Sequence, residues 1–282
     1  MKERDRAMEK VLEGKVAWVT GSSRGLGRVI ADHLASLGAR VVIHGTGPYS
    51  TRALNEGESL EAVAREMADR RGVPVLPVWG DLTDPQVVKD LVDQIHERFG
   101  RIDILVNCAG GDIGAKGVTA PMAGKPEGND AIHISVEDIR TVLDRNLMTC
   151  ILCCRQVAPE MMERKSGWIV NIGSIAGLQG IVNSAIYATA KAAVHEYTRC
   201  LAAMMRPYNV YVNAVAPGET VTKRFLASRT IDESMMVKGG TLVRYGWPIE
   251  IARVVGFLVS EEASYLTGQV IRVDGGKQCW PA

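Results

Sequence analysis

The sequence predicts an α/β protein built on a single doubly wound (Rossmann-type), seven-stranded parallel sheet flanked by helices on both faces. Three observations predict it. Seven short β-branched runs recur along the 282 residues, helical periodicity fills most of the stretches between them, and a glycine-rich turn separates the first run from the first helix. Strands that are apolar on both faces and separated by helices belong to a sheet covered on each side, because every crossover lays a helix across one face. Chains beyond ~250 residues often split unless the fold is an extended α/β one. No internal repeat or low-complexity linker interrupts the alternation, so residues 14–282 are read as one domain behind a polar extension at 1–13.

The elements follow in order. "KVAWVT" (15–20) is the first strand, and "TGSSRGLG" (20–27) leads from it into the helical "RVIADHLASLGA". Gly21, Gly25 and Gly27, with Ser23, Arg24 and Leu26 between them, let the backbone turn sharply and approach a pyrophosphate. The helix amino end then stabilises that anion through free N–H groups and its dipole, so the loop is a candidate dinucleotide site, with a plain tight turn as the alternative. The second strand, "RVVIHG" (40–45), bears on NAD against NADP. NAD sites commonly hold the ribose 2′-hydroxyl with an acid about 20 residues past the glycines. Here no acid lies between Asp32 and Glu56, while Arg24 carries a fixed charge and His44 and Thr46, around Gly45, can donate to a phosphate. NADP is therefore the preferred cofactor; NAD is possible if Arg24 is merely a solvated loop residue.

After the third strand, "PVLPVWG" (74–80), "GDLTD" places Asp81, followed by Leu82, where a carboxylate can accept from an adenine amino group. After the fourth, "IDILVNC" (102–108), "NCAG" places Asn107, Ala109 and Gly110 as a small-residue wall for the cofactor. The loop at 111–135 is far longer than the ~4–6 residues usual for such connections and emerges on the ligand side of the sheet. It is read as part of a substrate pocket, with Asp130 and His133 as possible contacts or, each taken singly, surface residues. In "NLMTCILCCRQV" the cluster Cys150, Cys153 and Cys154 has helical rather than zinc-finger spacing and is read as packing, with no metal.

The fifth strand, "GWIVNIGS" (167–174), puts Ser174 at the ligand end of the sheet. The helical "NSAIYATAKAAVHEYTRCLAAM" puts Tyr187 and Lys191 at i and i+4 on one face. That spacing alone is ordinary; its chain order behind a cofactor loop and a strand-end serine is what points to catalysis. An ammonium at ~4 Å is worth up to ~4 kcal/mol at an effective dielectric of ~20, enough by itself to bring a phenol toward neutral pH without a metal. Ser174 can then hold the substrate oxygen while Tyr187 gives or takes its proton. Asn146, a poor mid-helix residue, is a candidate to anchor a water reaching Lys191. Gln179, Val182 and Asn183 are expected to line the substrate pocket with Ser174 and Tyr187. "VYVNAVAP" (210–217) and "QVIRVDG" (269–275) complete the sheet.

The formal charge is +1, from 33 basic and 32 acidic residues, so no global field favours nucleic acid or an anionic membrane. No run approaches the ~18 apolar residues of a membrane span and the first residues are polar, which suggests a cytoplasmic protein. "TGSSRGLG", "GDLTD", "NCAG", Asn146, Ser174, "YATAK", "APGET" and "YLTGQVIRVDGG" occur in an order that resembles the short-chain dehydrogenase/reductase family from about residue 14 to 276. The resemblance is about equal to 3-oxoacyl-carrier-protein reductases and to sugar or polyol dehydrogenases. It implies an Asn–Ser–Tyr–Lys tetrad at Asn146, Ser174, Tyr187 and Lys191, with Tyr187 and Lys191 also touching the cofactor. It further implies nicotinamide contacts from Pro217, Gly218, Thr220 and the backbone of Val215, and a homotetramer. Two departures stand out: Cys108 replaces the second Asn of "NNAG", and Glu219 replaces an apolar residue, placing a carboxylate near the nicotinamide or substrate.

The expected reaction is hydride transfer between NADP(H) and a secondary alcohol or ketone. An NAD-dependent sugar or polyol dehydrogenase is the alternative, and a non-catalytic nucleotide-binding module is a weaker one. The segment 219–247 occupies the place of a substrate lid, where Lys223, Arg224, Arg229 and Arg244 would favour an anionic substrate or form an exposed basic helix face.

Overall fold

Strands β1 (Val16–Val19), β2 (Arg40–Gly45), β3 (Val75–Trp79), β4 (Ile104–Asn107), β5 (Gly167–Ile172), β6 (Val210–Pro217) and β7 (Val270–Val273) form one sheet. Their order is β3-β2-β1-β4-β5-β6-β7, and every adjacent pair is parallel. This computed structural model describes residues 10–280, so most of the extension at 1–13 and the last two residues of the tail lie outside the described residues. Strand order reverses at β1, which pairs with β2 on one side and β4 on the other. A ligand crevice opens at such a reversal, beyond the carboxyl ends of the strands.

The strands bury both faces, as their continuous apolar runs require. On β1, Ala17 and Val19 enter one core, and Val16 and Trp18 enter the other. The first core is roofed by α1 (Gly25–Ser36), α2 (Leu60–Arg71) and α7 (Pro248–Leu258), through Ile30, Leu34, Leu60, Val63 and Val255 among others. The second is roofed by α3 (Pro85–Phe99), α5 (Thr149–Arg164) and α6 (Ala185–Met205), through Leu91, Ile95, Cys153, Val157 and Val194. Fully buried aliphatic residues such as Leu105 and Ile95 each contribute on the order of 1.5–3 kcal/mol through lost apolar surface. Local signals set the helix ends. Ser59 and Asp84 accept from the first-turn N–H groups of α2 and α3, Pro85 opens α3, and Gly72 and Gly100 close these helices in the left-handed region.

Helix α4 (Val136–Leu143) does not pass directly into α5; a π turn at Asp144–Met148 joins them. Asn146 sits in it, and its Nδ2 donates to Val142 O at 2.8 Å. A side chain that bonds the carbonyl four residues back competes with the helical ladder, which accounts for the local widening. Cys150, Cys153 and Cys154 face the sheet from α5; the hydrogen bond with Cys154, together with burial, pushes the Cys150 thiol up from its ordinary value, and burial pushes up that of Cys153. Among the described residues there is no group of three or more His, Cys, Asp or Glu placed to hold a metal, and no helix long and apolar enough to cross a membrane.

Candidate active site

A cleft of about 1040 Å³ opens at the carboxyl end of the sheet, and the β1–α1 glycine loop forms one wall. Gly21 has φ +64, and a Cβ there would stand 2.6 Å from Ala109 Cα. A Cβ on Gly27 would stand 2.5 Å from Gly21 O, so the loop tolerates no side chain at either position. The Ser22 hydroxyl fixes it from behind, donating to Val19 O at 2.6 Å and accepting from His44 N at 2.8 Å. Arg24 is the N-cap of α1, with extended backbone and no side-chain capping bond; its Nη1 donates instead to Ser50 O at 2.8 Å, and the first helical turn carries no acid. An amino end of this kind, in a cradle closed to side chains, fits a dinucleotide pyrophosphate.

One carboxylate already reaches this cradle. Gly25 N donates to Glu56 Oε2 at 2.7 Å, and the other Glu56 oxygen is buried without a hydrogen-bond partner. The 3₁₀ turn at Ser50–Leu54, ended by left-handed Asn55, brings it there, and Arg28 donates to its main-chain carbonyl. In the sequence Glu56 is merely the next acid after Asp32; its position depends on a loop path that spacing does not reveal.

Of the cofactor residues expected from sequence, Gly21, Ser23, Arg24, Gly25, Leu26, Gly27, Gly45, Thr46, Asp81, Leu82, Ala109, Gly110, Pro217, Gly218 and Thr220 line the cleft, with Tyr187 and Lys191. Two others take a different part. His44 also borders the cleft, but its Nδ1 accepts from Gly21 N at 3.1 Å and its Nε2 pairs with Gly80 O at 3.1 Å. Burial holds it neutral, with a pKa down at about 4 despite Gly80 O and Asp81. With its one N–H committed, His44 braces the glycine loop and has no donor for a phosphate, contrary to the sequence reading. Asn107 lies outside the cleft lining: its Nδ2 donates to Asn171 Oδ1 at 2.9 Å and to Cys154 Sγ at 3.1 Å. The register of β4 on β5 sets the two asparagines side by side, so Asn107 supports the wall rather than touching a ligand.

Ser174 lies two residues past β5, and its Oγ accepts from Ala176 N at 3.1 Å, starting the turn Ile175–Leu178. Helix α6 carries Tyr187 and Lys191 to the same wall of the cleft. Lys191 Nζ donates to Ile172 O at 2.8 Å and lies 5.7 Å from the Tyr187 ring centroid. Burial pushes the Tyr187 phenol up, against which the Ser174 hydroxyl, Arg224 and Arg229 pull it down and Asp112 adds to the rise. The expectation that Lys191 alone activates Tyr187 is thus corrected. Lys191 points its ammonium at a carbonyl, is itself pushed down by burial, and the guanidinium groups supply the opposing charge.

Asn146 stands behind the cleft wall. Its Oδ1 accepts from Gly111 N at 2.8 Å and its Nδ2 donates to Gly111 O at 2.9 Å. A Cβ on Gly110 would stand 2.6 Å from Asn146 Oδ1 and 3.5 Å from Lys191 Nζ, so the amide and the ammonium flank this glycine. Both amide protons of Asn146 are spent on carbonyls, and the side chain clamps the Gly110–Gly111 segment. His195, one turn beyond Lys191, accepts from Ser174 N at 3.4 Å. Burial, Lys191 and Arg199 hold it neutral, at about 4. It was not singled out from sequence, although its i+4 spacing from Lys191 continues the catalytic face.

On the substrate side, Gln179, Val182, Asn183 and Glu219 border the cleft, as do Asp112 and Lys125 from the long loop. Asp112 Oδ2 accepts from Ser184 Oγ at 2.7 Å and Asn129 Nδ2 at 2.8 Å, tying that loop to the start of α6. Asp130 and His133 bond one another at 2.8 Å. Two backbone N–H groups, from His133 and Ile132, hold the Asp130 pKa down at about 2. Neither lines the cleft: the pair forms a turn on the outer surface, which agrees with the surface reading of each residue and not with substrate contact.

Fold and site together define a dinucleotide-binding α/β oxidoreductase acting on CH–OH groups. Residues 15–231 match the short chain dehydrogenase family, and the chain belongs to it. It is 38% identical over 269 residues to the 3-oxoacyl-(acyl-carrier-protein) reductase of Aquifex aeolicus, covering 95% of this chain and 99% of that protein. It is 36% identical over 274 residues to the cyclohexanol dehydrogenase of Rhodococcus sp. TK6, covering 94% and 96%. The crystal structure of a 3-oxoacyl-(acyl-carrier-protein) reductase with bound NAD from Brucella melitensis superposes with TM-score 0.78 at 28% identity, covering 98% and 95%.

Proposed function

We propose that the protein transfers a hydride between NADP(H) and a secondary alcohol or ketone, with Tyr187 as the general acid/base. One observation carries this reading: the Tyr187 phenol, the Ser174 turn and the glycine loop open onto one cleft. The nicotinamide dinucleotide, when bound, supplies or accepts the hydride. In the reducing direction Ser174 Oγ donates to the substrate oxygen and Tyr187 gives it a proton as the carbon gains hydride; oxidation reverses both transfers. The Ser174 hydroxyl, Arg224 and Arg229 favour the phenolate left once Tyr187 has given its proton, and Lys191, held by Ile172 O, stands beside the Tyr187 ring. Asn146 fixes the Gly110–Gly111 wall on which cofactor and substrate must lie.

The preference for NADP is supported by Arg24, which borders the cleft beside the cradle, and by the absence of an acid at the end of β2. A second reading, NAD, is favoured by Glu56, whose carboxylate accepts from Gly25 N and would repel a 2′-phosphate. Titrating wild type, Arg24→Ala and Glu56→Gln with NADPH and NADH separates them. NADP preference requires Arg24→Ala to lose NADPH affinity selectively; unchanged NADPH affinity together with tighter NADH binding by the wild type overturns it. The homotetramer is proposed on the family resemblance and the cytoplasmic location on a sequence in which no apolar run approaches the length of a membrane span; light scattering of the purified protein checks the former. The reaction itself is tested with neutral cyclic, acyclic and sugar ketones and NADPH, following the loss of reduced-nicotinamide absorbance. Absence of turnover with every ketone and either cofactor contradicts the reading.

A further inference from the structure

The substrate side of the cleft carries more positive charge than proton and hydride transfer require. Lys125, Arg224, Arg229 and Lys277 border it, against the carboxylates Asp112 and Glu219. Glu219 is divided between Lys277 at 2.6 Å and Arg229 at 3.4 Å, and Asp112 spends Oδ2 on Ser184 and Asn129 while its Oδ1 is buried with no hydrogen-bond partner. Arg224 donates from Nη2 to Asp112 O, yet the Nε groups of both Arg224 and Arg229 are buried with no hydrogen-bond partner. A buried, charged N–H without an acceptor is costly, and an anionic acceptor relieves it best.

The same two arginines are firmly placed. The Arg229 guanidinium stacks 4.1 Å from the Phe225 ring centroid, and Phe225 packs edge-on against Tyr245 at 4.9 Å between centroids. Both lie near enough to the Tyr187 hydroxyl to favour its charged form, and after burial they are the groups that disfavour the charged form of Lys125, against Asp112. The other two cations of this segment are committed elsewhere. Lys223 donates to Asn55 O, and Arg244 forms a two-point ion pair with Glu250. Neither borders the cleft. Of four basic residues that look alike in the sequence, the fold turns two toward the reacting centre and adds Lys125 from the long loop.

We propose that Arg224, Arg229 and Lys125 seat a carboxylate of the substrate, so that the enzyme interconverts oxo acids and hydroxy acids in preference to uncharged ketones and alcohols. The inference rests on the oxidoreductase reading above and narrows its substrate class. The carboxylate is unchanged in the reaction. The carbonyl carbon gains hydride from the reduced cofactor, the carbonyl oxygen gains the Tyr187 proton, and a hydroxy acid and oxidised cofactor result.

The test is kcat/KM for 2-, 3- and 4-oxopentanoate, each against its methyl ester, with NADPH and NADH. At least one acid should be preferred over its ester by ~10- to 100-fold, as expected for charge-assisted bonds from a guanidinium, and the preference should shrink with added salt. Arg229→Gln should collapse the acid-to-ester ratio, mainly through KM for the acid, and Arg229→Lys should restore part of it. Glu219→Gln should raise the ratio, because it releases Arg229 and Lys277 from a competing carboxylate. Should a variant fail to fold, the wild-type ratio still decides. Esters reduced as well as, or better than, every acid would overturn the carboxylate seat and leave the oxidoreductase reading standing; no turnover of any acid or ester would also overturn the seat, and the oxidoreductase reading falls with it only if the neutral cyclic, acyclic and sugar ketones are inert with both cofactors.

Discussion

Lowering the pH from 7 to 4.5 should destabilise the protein through two buried histidines. Burial holds His44 and His195 at about 4, below the ordinary 6.5. The unfolded chain takes up protons through 6.5 that the folded chain refuses until about 4, so the stability due to neutral histidine is complete above 6.5 and is lost as pH falls toward 4. Each group contributes about 1.4 kcal/mol per pH unit inside that window and about 3 kcal/mol across it. Protonation has a specific consequence at His44. Its Nδ1 accepts from Gly21 N at 3.1 Å, and a protonated ring cannot accept, so the glycine loop should loosen and dinucleotide affinity should fall in the same window. Denaturant midpoints at half-unit pH steps for wild type and His44→Gln isolate the effect, because carboxylates titrate alike in both proteins. The variant should lose about 1.4 kcal/mol per pH unit less than wild type between pH 6.5 and 4. Identical pH slopes for the two proteins would refute the reasoning.

Asn171→Ala removes the acceptor of Asn107 Nδ2 and the donor to Thr198 Oγ1, both at 2.9 Å in a fully buried network. It should cost roughly 3–5 kcal/mol by denaturant unfolding. Gly27→Ala drives a Cβ to 2.5 Å from Gly21 O, and calorimetry should find dinucleotide binding weakened at least ~100-fold or lost. His133→Ala, on the outer turn away from the cleft, should leave kcat/KM within about twofold of wild type. A larger loss would bring that turn back into the substrate site.

The sequence made much of this architecture legible because its signals are local. Seven β-branched runs match the seven observed strands to within two residues at each end, and periodicity with Ser59, Asp84 and Pro85 marks the helix starts. Gly21 and Gly27 were readable because a close backbone approach excludes every other residue. What escaped was decided by parity and by loop paths. Asn107 looks like a cleft residue at a strand end, yet sheet register turns it toward Asn171. His44 reads as a free donor until both ring nitrogens are seen to be committed. Glu56, Asp112 and Lys125 reach the cleft along irregular segments with no periodicity. The four cations at 223–244 are equivalent as letters; only the positions of Asn55 O and Glu250 separate the two that are committed from the two that face Tyr187.

The central claim is proton transfer by Tyr187, and Tyr187→Phe tests it most directly in single-turnover mixing of the reduced-cofactor complex with a turned-over ketone. An intact fold by circular dichroism and a hydride-transfer rate at least ~100-fold below wild type are expected. A rate within tenfold of wild type would contradict that claim.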